Sequence, residues 1–377
     1  MYKKIASVVL MSLLIATLGI SGCIDSSEPH SDLKIDSNKI IVIDDAKRTV
    51  EVPKNIEKIA TLNGALREVV YFGEQEKVIG LEFRESSQKT TGAFPSSFDL
   101  PYIIAYPELR NLPPIRTGSD INFEGILKAQ PDVIIIGSFS KADADSLQEK
   151  VGIPVVVIYV DSIGTDAQNQ RYFESVETLG KVLRKENRAK ELISLFKGYE
   201  DDLKNRVKNI PESERPTVYV GGRAYNGAHG ILGTDPKWPP FTLINANNIA
   251  SGLSDESMGI YISKEELLNK NPDYIFLSAA SKHKISEDLK EPTYKELSAF
   301  SNENVYMVPP YCWYFFNKEH ALINAYFIGS IVYPEEFKDI VIEEKADEIY
   351  KNFLGKPIYD EIMTHAFFVG HKKMEID

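Results

Sequence analysis

Thirteen residues are written twice in this chain, and that repeat limits the fold more than any other feature. Residues 124–136 read EGILKAQPDVIII and residues 265–277 read EELLNKNPDYIFL. Aligned on Pro131 and Pro272, five positions are identical: Glu124/Glu265, Leu127/Leu268, Pro131/Pro272, Asp132/Asp273 and Ile134/Ile275. Each copy passes from a short helical pattern to a proline, which ends a helix because it lacks an amide hydrogen and crowds the residue before it. An apolar run follows, of the kind needed by a strand buried on both faces of a parallel sheet. One recurrence at long spacing predicts two similar α/β lobes, because a solenoid needs several copies at short period. Two lobes leave a cleft, the usual seat of a small ligand.

The N-terminus reads as a targeting signal. Lys3 and Lys4 precede an apolar stretch, Ile5 to Ile20, that is short for a membrane span. It ends in Ile20-Ser21-Gly22-Cys23, which resembles a lipobox. Cleavage before Cys23 would free that cysteine for a lipid anchor, and an uncleaved signal anchor is the alternative. Residues 1–22 are thus expected to be a lipoprotein signal peptide, leaving a tethered chain of 355 residues, enough for two domains. Lys3 and Lys4 are the only charges lost, so the net charge moves from −12 to −14. An acidic chain without a basic tract does not attract nucleic acid. Besides Cys23 there is only Cys312, so no internal disulfide and no cysteine-rich metal site is expected.

Residues 23–38 are polar and aperiodic, and read as a flexible tether. Residues 39–167 are expected to form an N-terminal α/β lobe, opening with a hairpin (Ile40–Ile43 and Thr49–Val52) and continuing with a strand at Lys58–Leu62. Residues 86–120 read mostly as loop. Residues 168–210 are a helical connecting segment with a break near Lys185–Asn187. Its uninterrupted part would be ~33 Å long, enough to cross between lobes. Residues 211–377 form the second lobe, with a helix expected over Thr242–Ala250 and closing helices over 319–333, 335–353 and 357–368.

The stretches IIVIDDAKRTVEVPKNIEKIATL and LREVVYFGEQEKVIGLE, with the repeated E-x-x-L-x-x-x-P-D-x-I, resemble the substrate-binding proteins of iron–siderophore, haem and cobalamin ABC transporters. The resemblance runs from about Ile40 to about Phe353. It implies an α/β fold of two Rossmann-like lobes with central parallel sheets, joined by one long rigid helix, with the ligand cleft between them. It also implies a chelated metal or tetrapyrrole as ligand (ferric siderophore, haem or cobalamin), and delivery to a membrane permease driven by a cytoplasmic ATPase. The protein would act outside the cytoplasm, anchored to the membrane by lipid. Lys47 departs from the pattern, since many similar chains have glycine at that turn.

Glu124 and Glu265 fall in the first turn of their helices if Asn122 and Ser263 are the caps. Either alone is explained by the helix dipole. As a pair at matching places they would share one rim of the cleft, and the resemblance implies that they dock arginines of a dimeric permease. For the ligand, strand ends and the loops after them are the expected lining. The candidates are Asn63, Arg84, Ser138 and Phe139 from the first lobe, and Arg223, Tyr225, His229, Trp238, Tyr311, Trp313 and Tyr314 from the second. Tyr311, Trp313 and Tyr314 belong to the run YCWYFF, suited to stacking on a flat ligand while the phenols donate hydrogen bonds. Arg84 and Arg223 suit ligand carboxylates or phosphates. Tyr225 and Trp238 lie in a long segment, 223–241, and would cover the ligand from above. The six histidines lack close ligand spacing, so no protein metal site and no resident cofactor is expected. A surface-anchored hydrolase or metal chelatase is the rival function, but no G-x-S-x-G, H-E-x-x-H or P-loop is present. A capture protein without a permease is a further rival, one that would need no second glutamate.

Overall fold

Both copies of the repeat build the same unit. The helices Phe123–Ala129 and Lys264–Lys270 each stop at a residue in left-handed conformation, Gln130 (φ 51°) and Asn271 (φ 40°). The chain then enters the strands Val133–Gly137 and Tyr274–Ser278, each the middle strand of a parallel trio. Val133–Gly137 lies between Ile59–Leu62 and Val155–Ile158, and Tyr274–Ser278 between Thr217–Gly221 and Val305–Val308. The repeated Pro-Asp explains how the neighbour is aligned. Asp132 accepts hydrogen bonds from the amides of Glu57 (2.7 Å) and Lys58 (2.9 Å) just before the first strand. Asp273 accepts from the amide and hydroxyl of Thr217, both at 2.7 Å, at the start of the equivalent strand. One aspartate per half thus satisfies strand-end donors that the ladder leaves over.

The computed structural model describes residues 38–82, 85, 100–117, 120–223, 227–254, 259–365 and 369–375. Cys23, Arg84 and Tyr225 lie outside them. The opening hairpin is present, Lys39–Ile43 pairing antiparallel with Thr49–Pro53. Lys47 takes the left-handed turn conformation itself (φ 60°), so the position expected to need glycine holds a lysine in the same backbone shape. Asp44 fixes that turn by accepting the Arg48 amide at 2.9 Å.

The connecting segment is two helices, Asp166–Leu183 and Glu186–Val207, reversed at Arg184 (φ 58°). They pack as an antiparallel pair, with Gly180 against Ala189 and the rings of Phe173 and Phe196 5.5 Å apart. Only the second has the expected crossing length. At its start, Arg188 donates to the carbonyls of Tyr71 (2.9 Å) and Asn352 (2.6 Å); near its end, Arg206 pairs with Asp339.

Two expectations fail locally. Residues 242–250 are not a helix: Pro239–Leu243 is helical, starting on two prolines as a first turn allows, and Asn247–Asn248 is a strand beside Thr217–Gly221. Within 86–120, the described part contains the helix Pro101–Ala105 and the strands Pro114–Thr117 and Asp120–Ile121.

Each half has a smaller apolar cluster of its own, around Ile134 and Ile136 in the first and Ile275 and Leu277 in the second, and a larger one is shared between them. The shared cluster contains Val156 and Ile158 of the first sheet, Val220, Phe276 and Val308 of the second, and Phe353 of a late helix. That helix, Ile342–Leu354, packs on Ala65–Tyr71 of the first half, where the Tyr71 and Phe353 rings lie 5.3 Å apart. Ser37–Asp377 is accordingly one compact unit.

Candidate functional site

Asn63 follows the first strand in left-handed conformation (φ 52°). Its amide donates to Glu82 Oε1 (2.8 Å), its Nδ2 to the Gly137 carbonyl (3.2 Å), and its Oδ1 accepts from Arg116. Arg116 also pairs with Glu82 at 3.1 Å, and Glu82 is buried. Ser138 ends the middle strand (φ 39°) and donates to Asp161 Oδ2 at 2.6 Å. Phe139 is half-buried against the cluster that holds Ile134 and Ile136. Asn63 and Ser138 thus meet at neighbouring strand ends through Gly137.

In the second half a narrow crevice of about 10 Å³, room for about one water, lies at the strand ends, lined by Val220, Arg223, Trp238, Ser278, Val308 and Tyr311, among others. Arg223 is paired at 2.7 Å with Asp235, both nearly inaccessible. Burial raises the Asp235 carboxyl against the pull of that guanidinium. The Ser278 hydroxyl is buried with no hydrogen-bond partner among the described residues. Trp238 belongs to the floor, not to a cover: it is 3% exposed and meets Phe241 edge-on at 4.8 Å. The Tyr311 hydroxyl is already engaged across the halves, lying 3.1 Å from Ser162 Oγ and accepting the Ile163 amide at 3.0 Å. It does not face outward as a free donor, and burial pushes its pKa well up. Cys312 stays a thiol, pushed up to about 12 by burial. His229 is joined through Nδ1 to the Tyr261 hydroxyl, and its amide donates to Ser281. Among the described residues no group of three potential metal ligands occurs.

Trp313, Tyr314 and Phe315 are half-buried in a tight loop closed by a bridge between Cys312 and Phe316. Tyr314 (φ 46°) and Phe315 (φ 62°) are both left-handed, as are Asn63 and Ser138. Such conformations cost about 1–3 kcal/mol each and persist only where the surroundings over-determine them. Of the eleven such residues among those described, these four lie just beyond strands of the two sheets, and the others close helices and turns elsewhere.

Beneath this region lies a charged group that sequence reasoning missed. Arg67, Glu68, Lys318 and Glu319 are all essentially inaccessible. Lys318 Nζ donates to Glu68 Oε1 (3.1 Å) and to the Val160 carbonyl (2.9 Å). Tyr172 donates to the other Glu68 oxygen at 3.0 Å, Tyr71 donates to Glu319, and Arg67 donates to Asn317 Oδ1 at 2.8 Å. Burial pulls Lys318 below its ordinary range while Glu68 opposes the shift. The Lys318–Glu68 and Tyr71–Glu319 pairs join the helix Ala65–Tyr71 to the helix Lys318–Val332, hence one half to the other. Only the helix Lys318–Val332 carries a signal, being apolar nearly all round after its first turn; in Ala65–Tyr71 the adjacent Arg67 and Glu68 read as a solvent face.

Glu124 and Glu265 are exposed at equivalent places. The Asn122 side chain accepts the Gly125 amide (2.9 Å) and Ser263 the Glu266 amide (3.0 Å), so both caps are as expected and both glutamates hold the second helical position. Helices that precede parallel strands begin at the carboxyl end of the sheet, the edge that also carries Ser138 and Ser278.

Two sheets with parallel cores, tied to each other by buried polar bonds and carrying left-handed residues just beyond their strands, make up this architecture. The chain belongs to the periplasmic binding protein family, whose profile matches residues 102–312. It is the solute-binding component of an ABC transporter and not an enzyme. It is 22% identical to the Fe(3+)-citrate-binding protein YfmC of Bacillus subtilis (strain 168) over 309 residues, 81% of this chain and 90% of the relative. Among solved structures, the molybdate-binding protein MolA of Haemophilus influenzae superposes with a TM-score of 0.66 at 18% identity, covering 84% of this chain and 98% of that one. A periplasmic solute-binding protein of Veillonella parvula also reaches 0.66, at 22% identity, covering 88% and 97%. Among the described residues no helix is long and apolar enough to cross a membrane.

Proposed function

We propose that this chain is a lipid-anchored binding protein that captures a ferric chelate between its two halves and hands it to a dimeric permease through Glu124 and Glu265. The observation that carries delivery is the equivalence of the two glutamates: same cap, same helical position, same exposure, on the two copies of one repeat. A carboxylate in that setting suits the planar fork of an arginine. Ligand capture is supported by the half-buried aromatic loop Trp313–Phe315 and by the likeness to a ferric-citrate-binding relative. Asn63, Ser138 and Phe139 supply the facing wall. The lipid anchor rests on Cys23 after the signal-like segment.

Titration of the mature chain with ferric citrate, a ferric catecholate, haem and cobalamin tests the ligand class by tryptophan fluorescence. Ferric citrate or the catecholate should quench Trp313 saturably; saturable quenching by haem or cobalamin alone would reject a ferric chelate. Glu124→Ala with Glu265→Ala should abolish uptake of the bound chelate and leave its affinity unchanged. A loss of affinity instead would show that these carboxylates hold the ligand and not the permease.

A further inference from the structure

The loop Tyr311–Phe316 belongs to the second half, yet much of what fixes its shape comes from the first. Arg67 Nη2 donates to the Tyr314 carbonyl at 3.1 Å, inside the pair of left-handed residues, and to Asn317 Oδ1 at 2.8 Å. Asn317 in turn holds the loop's entry, donating through Nδ2 to the carbonyls of Pro310 (3.1 Å) and Tyr311 (3.3 Å), while its amide donates to Tyr311 O at 2.8 Å. The Phe315 ring lies flush on Gly64, where any Cβ would collide with it. Gly64 itself is left-handed (φ 74°) and immediately precedes the helix that carries Arg67. The guanidinium is fully buried, 5.0 Å over the Tyr102 ring, so its direction is fixed from behind.

We propose that Arg67 is a positioning residue for ligand capture: reaching across from the first half, it holds Tyr314 and Phe315 in their strained conformation and so presents the faces of Trp313 and Tyr314 to the cleft. Both bonds leave Nη2, while Nε and Nη1 have no partner among the described residues; a guanidinium suits this because its rigid plane fixes the directions of the two Nη2 hydrogens, whereas an ammonium is a point donor on a flexible stem. The proposal rests on the reading of the aromatic loop as a ligand wall, and its test keeps the two apart.

The variants Arg67→Met and Arg67→Lys are made in a Trp238→Phe background, so that Trp313 is the sole tryptophan of the mature chain. Acrylamide quenching of Trp313 reports the loop without any ligand, and ferric citrate titration reports capture. Arg67→Met should at least double the quenching constant and weaken ferric citrate tenfold or more, with Arg67→Lys restoring part of both. Unchanged quenching in the folded Arg67→Met chain would overturn the proposal. Raised quenching with unaltered ferric citrate affinity would uphold the positioning of the loop, overturn its link to capture and reject the ligand-wall reading. If the parent fails to bind ferric citrate, that ligand reading fails while the quenching arm still decides the loop. Should Arg67→Met not fold, Gly64→Ala presses on Phe315 from the same side without removing a charge. Raised Trp313 quenching there supports the cross-half hold, and unchanged quenching overturns it.

Discussion

Replacing Lys318 by methionine isolates what the buried charges do for the fold. The side chain is fully buried and gives one hydrogen bond to Glu68 (3.1 Å) and one to the Val160 carbonyl (2.9 Å), 5.1 Å over the Tyr172 ring. Methionine fills similar volume, so the loss is electrostatic. It leaves the Glu68 carboxylate in the interior with Tyr172 as its remaining hydrogen-bond donor, and removes a donor from Val160. Breaking a buried pair by removing one partner costs about 3–5 kcal/mol. For a folded unit of ~340 residues, an unfolding entropy of about 2.1 cal/mol/K per residue gives roughly 0.7 kcal/mol/K, so Tm should fall by about 4–7 °C. Calorimetry measures this directly. The double variant Glu68→Gln with Lys318→Met no longer carries a stranded charge, and it should be more stable than the sum of the single losses by at least ~1 kcal/mol. A drop below about 2 °C in Lys318→Met, or strict additivity in the cycle, would refute the claim that these residues act as a coupled lock.

Asp132→Ala and Asp273→Ala should each destabilise the chain by about 0.5–1.5 kcal/mol in denaturant melts, because each removes two exposed hydrogen bonds at the start of a strand; clearly unequal losses would argue against equivalent roles for the repeated residue. Glu85 is pushed up to about 8 by burial and then by the Glu82 carboxylate, with Tyr102 donating to it at 2.8 Å. The native state therefore keeps a proton that the unfolded state releases above about pH 4.5, so stability falls as pH rises towards 8. Glu85→Gln should flatten that fall, read as Tm at pH 5 and pH 8.5. His371 is pulled the other way, down to about 3, by burial and then by His320, while its Nε2 bonds Asn324 Oδ1 at 2.9 Å. Its contribution is complete above pH 6.5 and is lost as pH falls towards 3, so His371→Gln should reduce the acid slope of stability between pH 6.5 and 4.

What could be read from the residues was what repeats or alternates. The doubled E-x-x-L-x-x-x-P-D-x-I located both middle strands and both caps, since local chemistry fixes them: Asn122 or Ser263 accepts an amide, and Gln130 or Asn271 turns the chain. The connecting helices followed from apolar spacing, and their reversal at Arg184 fell within a residue of the expected break. The misses have a different origin. Residues 242–250 lack periodicity strong enough to outweigh the two prolines that start their helix early. Aromatic residues beyond a strand suit a cleft wall, which is the reason to expect Tyr311 against a ligand, and a long segment suits a cover, which is the reason to expect Trp238 above one. Their burial is decided by Ser162, Ile163 and Phe241, which the sequence does not put beside them. Arg116 and Arg67 escaped notice because their partners, Glu82 and Asn317, are 34 and 250 residues away.

The long-range partners matter most for how such a protein works. An apolar seam between the halves would be satisfied by many offsets, because dispersion and burial are nearly indifferent to direction. Hydrogen bonds from Lys318 to Val160 O, from Arg67 to Tyr314 O and from the Ile163 amide to Tyr311 are satisfied at one register only. Each runs between halves, and two of them end on a loop or strand end that borders the crevice. A change in the angle between the halves would break all three together, two of them fully buried, where an unmade bond is costly. These contacts oppose a hinge-like opening, and the same contacts link the halves that carry Glu124 and Glu265.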